Sequence, residues 1–217
     1  MMARSSAPAA IAASPAIDFE RLVGAFGWRR LPADIRRRFG HEPEPGHDIR
    51  YVGIMSRVDC SLAGLALAQL CRLIGTPFAP YRGADIPVDI LLRATPSGDG
   101  IVWMRDYHYP GLDPIRVSST KQAAGDGTLL ECVAYGFGMR LEVFEADRIL
   151  HFRSLGYFWQ VWGRRVPLPD LLSPGRAHVI HQDLGRGRFR FAMTIRHPLL
   201  GMLFEQDGIF RDEGDRP

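Results

Sequence analysis

Trp103, Arg105, Tyr107 and Tyr109 recur at every second position, the period that sets side chains on one face of a β-strand. Aromatic rings with one guanidinium among them form a wall suited to an amphipathic carboxylate or phosphate, its apolar body on the rings and its acid on the cation. Glu131, in a neighbouring strand candidate, is the carboxylate that could answer Arg105. The pair reads in two ways: as part of a ligand site, or as a buried ion pair that only holds a sheet together. Trp103, Arg105, Tyr107 and Glu131 are the candidate ligand-binding residues, and Glu131 is the candidate acid or base if the ligand is a substrate.

Other chemistry-bearing residues point to less. His178 and His181 are three apart, which on a strand places them on opposite faces, so they cannot chelate together without a bulge. His108 lies on the face opposite Tyr107, and His151 and His197 stand alone, so all are read as surface or internally satisfied histidines. Cys60, Cys71 and Cys132 have neither zinc nor disulfide spacing. No metal is expected. Gly136-Phe137-Gly138 lacks the third glycine of a dinucleotide loop and leads into a strand, and there is no phosphate-cradling GxxxxGK and no GxSxG elbow. No cofactor is expected either. Phe158, Trp159, Val161, Trp162, Arg164 and Arg165 mix aromatics with Arg; exposed, they would suit a membrane interface or a protein partner, though core aromatics at a strand end are the commoner arrangement.

These residues must be held by a sheet. From Leu129 to Trp162 three strand-like runs follow each other with only Gly136–Gly138 and Ala146–Asp147 between them, the signature of a β-meander. Strands are predicted over Asp48–Val58, Ile86–Ala94, Ile101–Tyr109, Ile115–Lys121, Thr128–Tyr135, Met139–Ala146, Arg148–Trp159, Ala177–Leu184, Arg188–His197 and Leu200–Phe210. Turns of the PSGDG, PGLDP and AAGDG kind make neighbours antiparallel. Val166–Gly175 reads as a Pro-rich break with one helical turn over Pro169–Leu172. Helices are expected over Asp18–Phe26 and Pro32–Phe39 as an edge cap, and over the stretch from Ser61 to Gly75, capped by Asp59 or Ser61, where the nearly unbroken apolar sequence predicts burial against the sheet. The fold class is α+β, mainly antiparallel β: a strongly curved meander sheet or lipocalin-like barrel of about ten strands with a buried N-terminal helix, able to hold one small ligand. The alternative is a helix-grip fold, ranked second because nothing after Pro198 can form its long C-terminal helix.

Residues 1–17 read as a disordered lead, 18–211 as one β-rich domain and 212–217 as a frayed tail. The 46% hydrophobic and 24% charged content is that of a globular protein, and no apolar run reaches the about 20 residues that span a bilayer. A cytoplasmic protein follows. The net charge of +3 gives little support to nucleic-acid binding, because Lys121 is the only lysine among 27 basic residues and the skew to Arg fits codon bias. Arg29, Arg30, Arg36, Arg37 and Arg38 cluster and are read as a solvated helix flank.

Arg30-Leu31-Pro32, Trp103-Met104-Arg105, Glu131 followed by Gly136, Leu168-Pro169 with Ser173-Pro174, Phe189-Arg190-Phe191, and His197-Pro198-Leu199-Leu200-Gly201 ending at Gly208 resemble, in that order, the bacterial domain of unknown function 4166 family. The resemblance covers roughly residues 20 to 210. It departs at Gln206, where the family pattern tends to have Tyr, so any site that Tyr lines is altered here. The resemblance also implies association with nicotinamide-dependent oxidoreductase domains, hence a separate oxidoreductase chain as a candidate partner. Three functions follow: a binding or accessory module for a small amphipathic, acidic or lipid-like ligand; an enzyme acting on that ligand through Glu131; and an interaction module for an oxidoreductase or membrane partner, with membrane contact the lesser expectation.

Overall fold

The computed structural model describes residues 16–44, 46–72 and 78–213. Residues 1–15 of the expected lead, the helix end predicted at Gly75 and residues 214–217 of the expected tail lie outside them. Three helices come first, α1 (Phe19–Val23), α2 (Ala25–Arg30) and α3 (Ala33–Phe39), followed by strand β1 (Ile49–Cys60) and helix α4 (Leu62–Cys71). Ten strands complete the chain: β2 (Ile86–Ala94), β3 (Gly100–Tyr107), β4 (Ile115–Ala123), β5 (Leu129–Cys132), β6 (Phe137–Ala146), β7 (Ile149–Val161), β8 (Arg164–Leu168), β9 (Arg176–Gly185), β10 (Arg188–His197) and β11 (Gly201–Asp212).

The strands lie in the order β6-β5-β4-β3-β2-β1-β11-β10-β9-β7-β8, all antiparallel, and β6 also pairs with β7. That pairing closes ten strands into a barrel and leaves β8 outside it, bonded to β7 alone among the described strands. The sheet closes on itself, so the helix-grip alternative, an open sheet wrapped on a helix, is not the fold. β8 was not expected: Pro167 argues against a strand, but the outer edge needs no N–H donor there. A two-residue turn at Trp162 (φ 49°) and Gly163 (φ 74°) joins it to β7. β11 runs through Asp212, which pairs with Tyr51, so the sheet extends into the expected tail.

Strand register sorts the connections to two ends. At one end lie the start of β1, the end of β11 and the β6–β7 and β9–β10 turns, and α1–α3 close it. Asp18 caps α1 by accepting from the Arg21 N–H (2.9 Å), and Gly24 at φ 83° splits the single predicted helix into α1 and α2. Phe39, at the end of α3, sits in the barrel end against Phe19, Trp103, Phe152 and His181, with ring centroids 4.9 to 6.4 Å away. Ile17, placed in the lead by the sequence reading, is buried in the same cluster.

Two expectations are corrected by this packing. Arg38 does not belong to a solvated flank: it is buried, with its guanidinium carbon 3.8 Å from the Phe189 ring centre, while Arg29, Arg30 and Arg37 stay exposed. Helix α4 is not buried all round. Only Gly64, Ala68 and Cys71 are fully buried, Ala63, Leu65 and Leu67 are partly buried against the strands, and Leu62 and Leu70 are exposed. A uniformly apolar helix cannot reveal which side it covers, and here its outer side lies at the barrel's second, open end. Ser61 caps α4, and Gly64 lets it approach β11, since a Cβ there would lie 2.1 Å from the Leu203 carbonyl oxygen. Among the described residues no helix is long and apolar enough to cross a membrane.

The aromatic plug gives the first expected outcome. Phe39→Ala should cost about 3–5 kcal/mol, which at roughly 2–4 °C per kcal/mol for a chain of this size lowers the melting temperature by about 10 °C. Calorimetry checks it, and a variant that melts with the wild type would mean that the helices do not support the barrel.

Candidate functional site

The barrel encloses a cavity of about 440 Å3. Its inner end is floored by Trp103, Phe152 and His181, the three cavity-lining rings that rest on Phe39 of the plug. Met139, Val179, Met193 and Ile195 line it along the barrel, and Leu67, Leu70 and Leu172 line it at the open end. Most of the wall is therefore hydrocarbon. The alternation of β3 directs Trp103, Arg105 and Tyr107 inward together, and that of β4 does the same for Val117, Ser119 and Lys121.

Lys121 pairs directly across from Glu131 in the β4–β5 ladder. Its Nζ lies 2.9 Å from Glu131 Oε1, the same oxygen that accepts the Ser119 hydroxyl at 2.6 Å. Arg105 Nη2 stands 3.8 Å from that oxygen, an ion pair too long for a hydrogen bond. Both cations lie over Trp103, Lys121 Nζ at 4.8 Å and the Arg105 guanidinium carbon at 6.0 Å from its ring centre. On β11, Gln206 also lines the cavity, and its Oε1 accepts the Tyr107 hydroxyl at 2.9 Å. The position that departs from the family pattern is thus part of the cavity wall.

Burial alone would raise the Glu131 pKa, but the charges of Lys121 and Arg105 outweigh it and hold the carboxyl down at about 2. Burial, aided by the neighbouring Arg105, lowers the Lys121 pKa, and Glu131 offsets this only in part. His181 is pushed well below 6.5, first by burial and then by Arg38, Lys121 and Arg105, so its imidazole is neutral. The charged groups in the lining are then two cations and one anion, a surplus of one positive charge in a hydrocarbon cavity. Trp103 Nε1 and His181 Nδ1 are buried and find no hydrogen-bond partner among the described residues.

All four sequence candidates, Trp103, Arg105, Tyr107 and Glu131, line this cavity. Tyr109 does not. It lies beyond β3, stacked on Tyr107 at 6.2 Å, and its hydroxyl donates to the Tyr81 carbonyl. The raised pKa that an acid role for Glu131 requires is replaced by a lowered one. Sequence reasoning missed Lys121, Ser119, His181 and Gln206. Lys121 carried a signal, being the only lysine of the chain and two residues beyond Ser119 on a predicted strand. His181 was read as surface or satisfied and is neither: five aromatic rings surround it. His178 lies elsewhere, its Nε2 3.0 Å from Nδ1 of His151, so the two predicted faces are confirmed. Phe158 is buried in the cavity wall, whereas Trp162 is exposed at the β7–β8 tip.

The family model described as Domain of unknown function (DUF4166) matches residues 31–210, a span that begins just before α3 and includes every cavity residue named above. No curated protein matches the chain.

The buried charges give a pH dependence of known sign. Glu131 has a folded pKa below the ordinary 4.5, so its contribution to stability is fully present above that value and is lost as pH falls towards about 2. Glu131→Gln leaves Lys121 and Arg105 without their counter-charge and should cost about 3–5 kcal/mol at neutral pH. In denaturant titrations the variant should also lack this part of the acid decline, and identical pH profiles would show that the cluster is not charged.

Proposed function

We propose that this chain, which belongs to the family described as Domain of unknown function (DUF4166), is a binding module that holds a small amphipathic anion inside its barrel, as a lipocalin-like protein would. The observation that carries this reading is the charge imbalance at Arg105, Lys121 and Glu131 in an otherwise hydrocarbon cavity. An unbalanced charge away from water is costly, and an entering carboxylate or phosphate would neutralise it. A neutral ligand would leave the surplus, and a cationic one would add to it.

The apolar part of the ligand lies along Met139, Val179, Met193 and Ile195, and its acid group faces Arg105 and Lys121. Arg105 is the better placed of the two to turn to a ligand, since its pairing with Glu131 is the long one. Trp103 Nε1 offers a donor on the same side. Glu131, held deprotonated, acts as the counter-ion of Lys121 and not as a proton donor. A volume of about 440 Å3 suits one drug-sized molecule. A separate oxidoreductase chain that supplies or consumes the ligand belongs to the same proposal and rests on the family resemblance, while a cytoplasmic setting rests on the sequence's composition and hydropathy.

Native mass spectrometry with organic extraction tests for a co-purifying acid, and anilinonaphthalene sulfonate, itself an amphipathic anion, serves as a fluorescent probe. Arg105→Ala and Lys121→Met should each weaken the probe by roughly tenfold or more, the worth of a charge-assisted hydrogen bond. Decanoate should displace it and decylammonium should not. Equal affinity in wild type and both folded variants, or displacement by the ammonium alone, would overturn the reading.

A further inference from the structure

We infer that the open end of the barrel docks on an anionic lipid bilayer, through a ring of apolar side chains carried by its loops. Five connections each present one there: Leu70 at the end of α4 (65% exposed), Tyr135 between β5 and β6 (72%), Trp162 between β7 and β8 (96%), Leu172 between β8 and β9 (77%) and Leu199 between β10 and β11 (75%). At the plugged end, the described residues offer only Phe26 and Leu184 as exposed large hydrophobics. This asymmetry is not that of scattered surface apolar residues, which would appear at both ends.

Two observations favour a bilayer as the occupant. Arg164, Arg165, Arg176 and Arg196 are exposed at the same end, form no ion pair among the described residues, and outnumber the exposed Asp85, Asp113 and Asp170 there. Aliphatic tips, an indole, a phenol and unpaired arginines together match the boundary between acyl chains and anionic headgroups. The ring is also continuous with the cavity, because Leu70 and Leu172 are both cavity wall and exposed rim. An apolar ligand could then pass from acyl chains into the barrel without crossing water. A protein partner would need no such continuity. The transfer role rests on the proposed ligand, but the docking does not.

Vesicle flotation separates the two. The full chain should float with vesicles of phosphatidylcholine and phosphatidylglycerol, less with phosphatidylcholine alone, and less again in high salt. The double variant Trp162→Glu with Leu172→Glu should partition roughly tenfold more weakly, and because both side chains are solvent-exposed its melting temperature should stay at the wild-type value. Arg105→Ala should float like wild type even if it has lost the cavity ligand, so a failure of ligand binding leaves the docking result standing. Docking is overturned if wild type stays in solution with anionic vesicles, or if the double variant floats equally well. It is also overturned if the ring instead holds two copies together, seen as a dimer in sedimentation that the double variant disperses, with no flotation.

Discussion

Pairing of β6 with β7, from Phe137↔Trp159 to Ala146↔Ile149, turns a sheet into a barrel, and everything else in the molecule depends on that closure. An open sheet of this length would expose two edges and one apolar face. Closed, its alternating strands have an inside, and side chains spaced two apart on β3, β4 and β5 become walls of one space. Closure also creates ends. The chain treats them differently: helices packed through Phe39 fill one, and loops with exposed Leu, Trp and Tyr side chains surround the other.

Within that space the Glu131 carboxylate is the organising group. It sits at the meeting point of the Ser119 hydroxyl, the Lys121 ammonium and the Arg105 guanidinium, and its proton affinity is set by those two cations winning against burial. Three buried charges cannot sum to zero, and that imbalance is what the proposed anion would neutralise. Burial, and then the charges of Arg38, Lys121 and Arg105, keep His181 neutral, so the floor beneath the cluster remains apolar in character, while Trp103 Nε1 and His181 Nδ1 have no hydrogen-bond partner among the described residues. Gln206 fits the same logic, holding the Tyr107 hydroxyl where a bulkier phenol would reshape the wall.

Much of the fold was legible along the chain because strand and turn are local properties. The alternation from Phe189 to Ile195, the turn chemistry around Gly185–Gly187 and the short links of the meander each predict their elements from neighbouring residues. The cap of α1 at Asp18 follows equally from local hydrogen bonding, and of the two caps open for α4, Asp59 and Ser61, the structure takes Ser61. What failed was orientation across long distances. Arg38 reads as one of five similar arginines until α3 turns it onto Phe189, and α4 reads as buried until Leu62 and Leu70 are seen outside.

The candidate site divides in the same way. Sequence by itself determined that Trp103, Arg105 and Tyr107 share a face, since a two-residue period is a property of any strand, and that Glu131 stood on a separate strand able to meet them. It also determined a mainly antiparallel sheet of about ten strands, from patterning and loop length alone. Only the tertiary structure decided which face is inside, because inside exists only once β6 meets β7. It alone set Lys121 beside Glu131, through the register of the β4–β5 hairpin, and His181 beneath them, through ring closure between residues far apart in the chain. The charge of that cluster is therefore a tertiary property: the pKa of Glu131 depends on burial and on Lys121 and Ser119 of β4 and Arg105 of β3, which strand register brings around it.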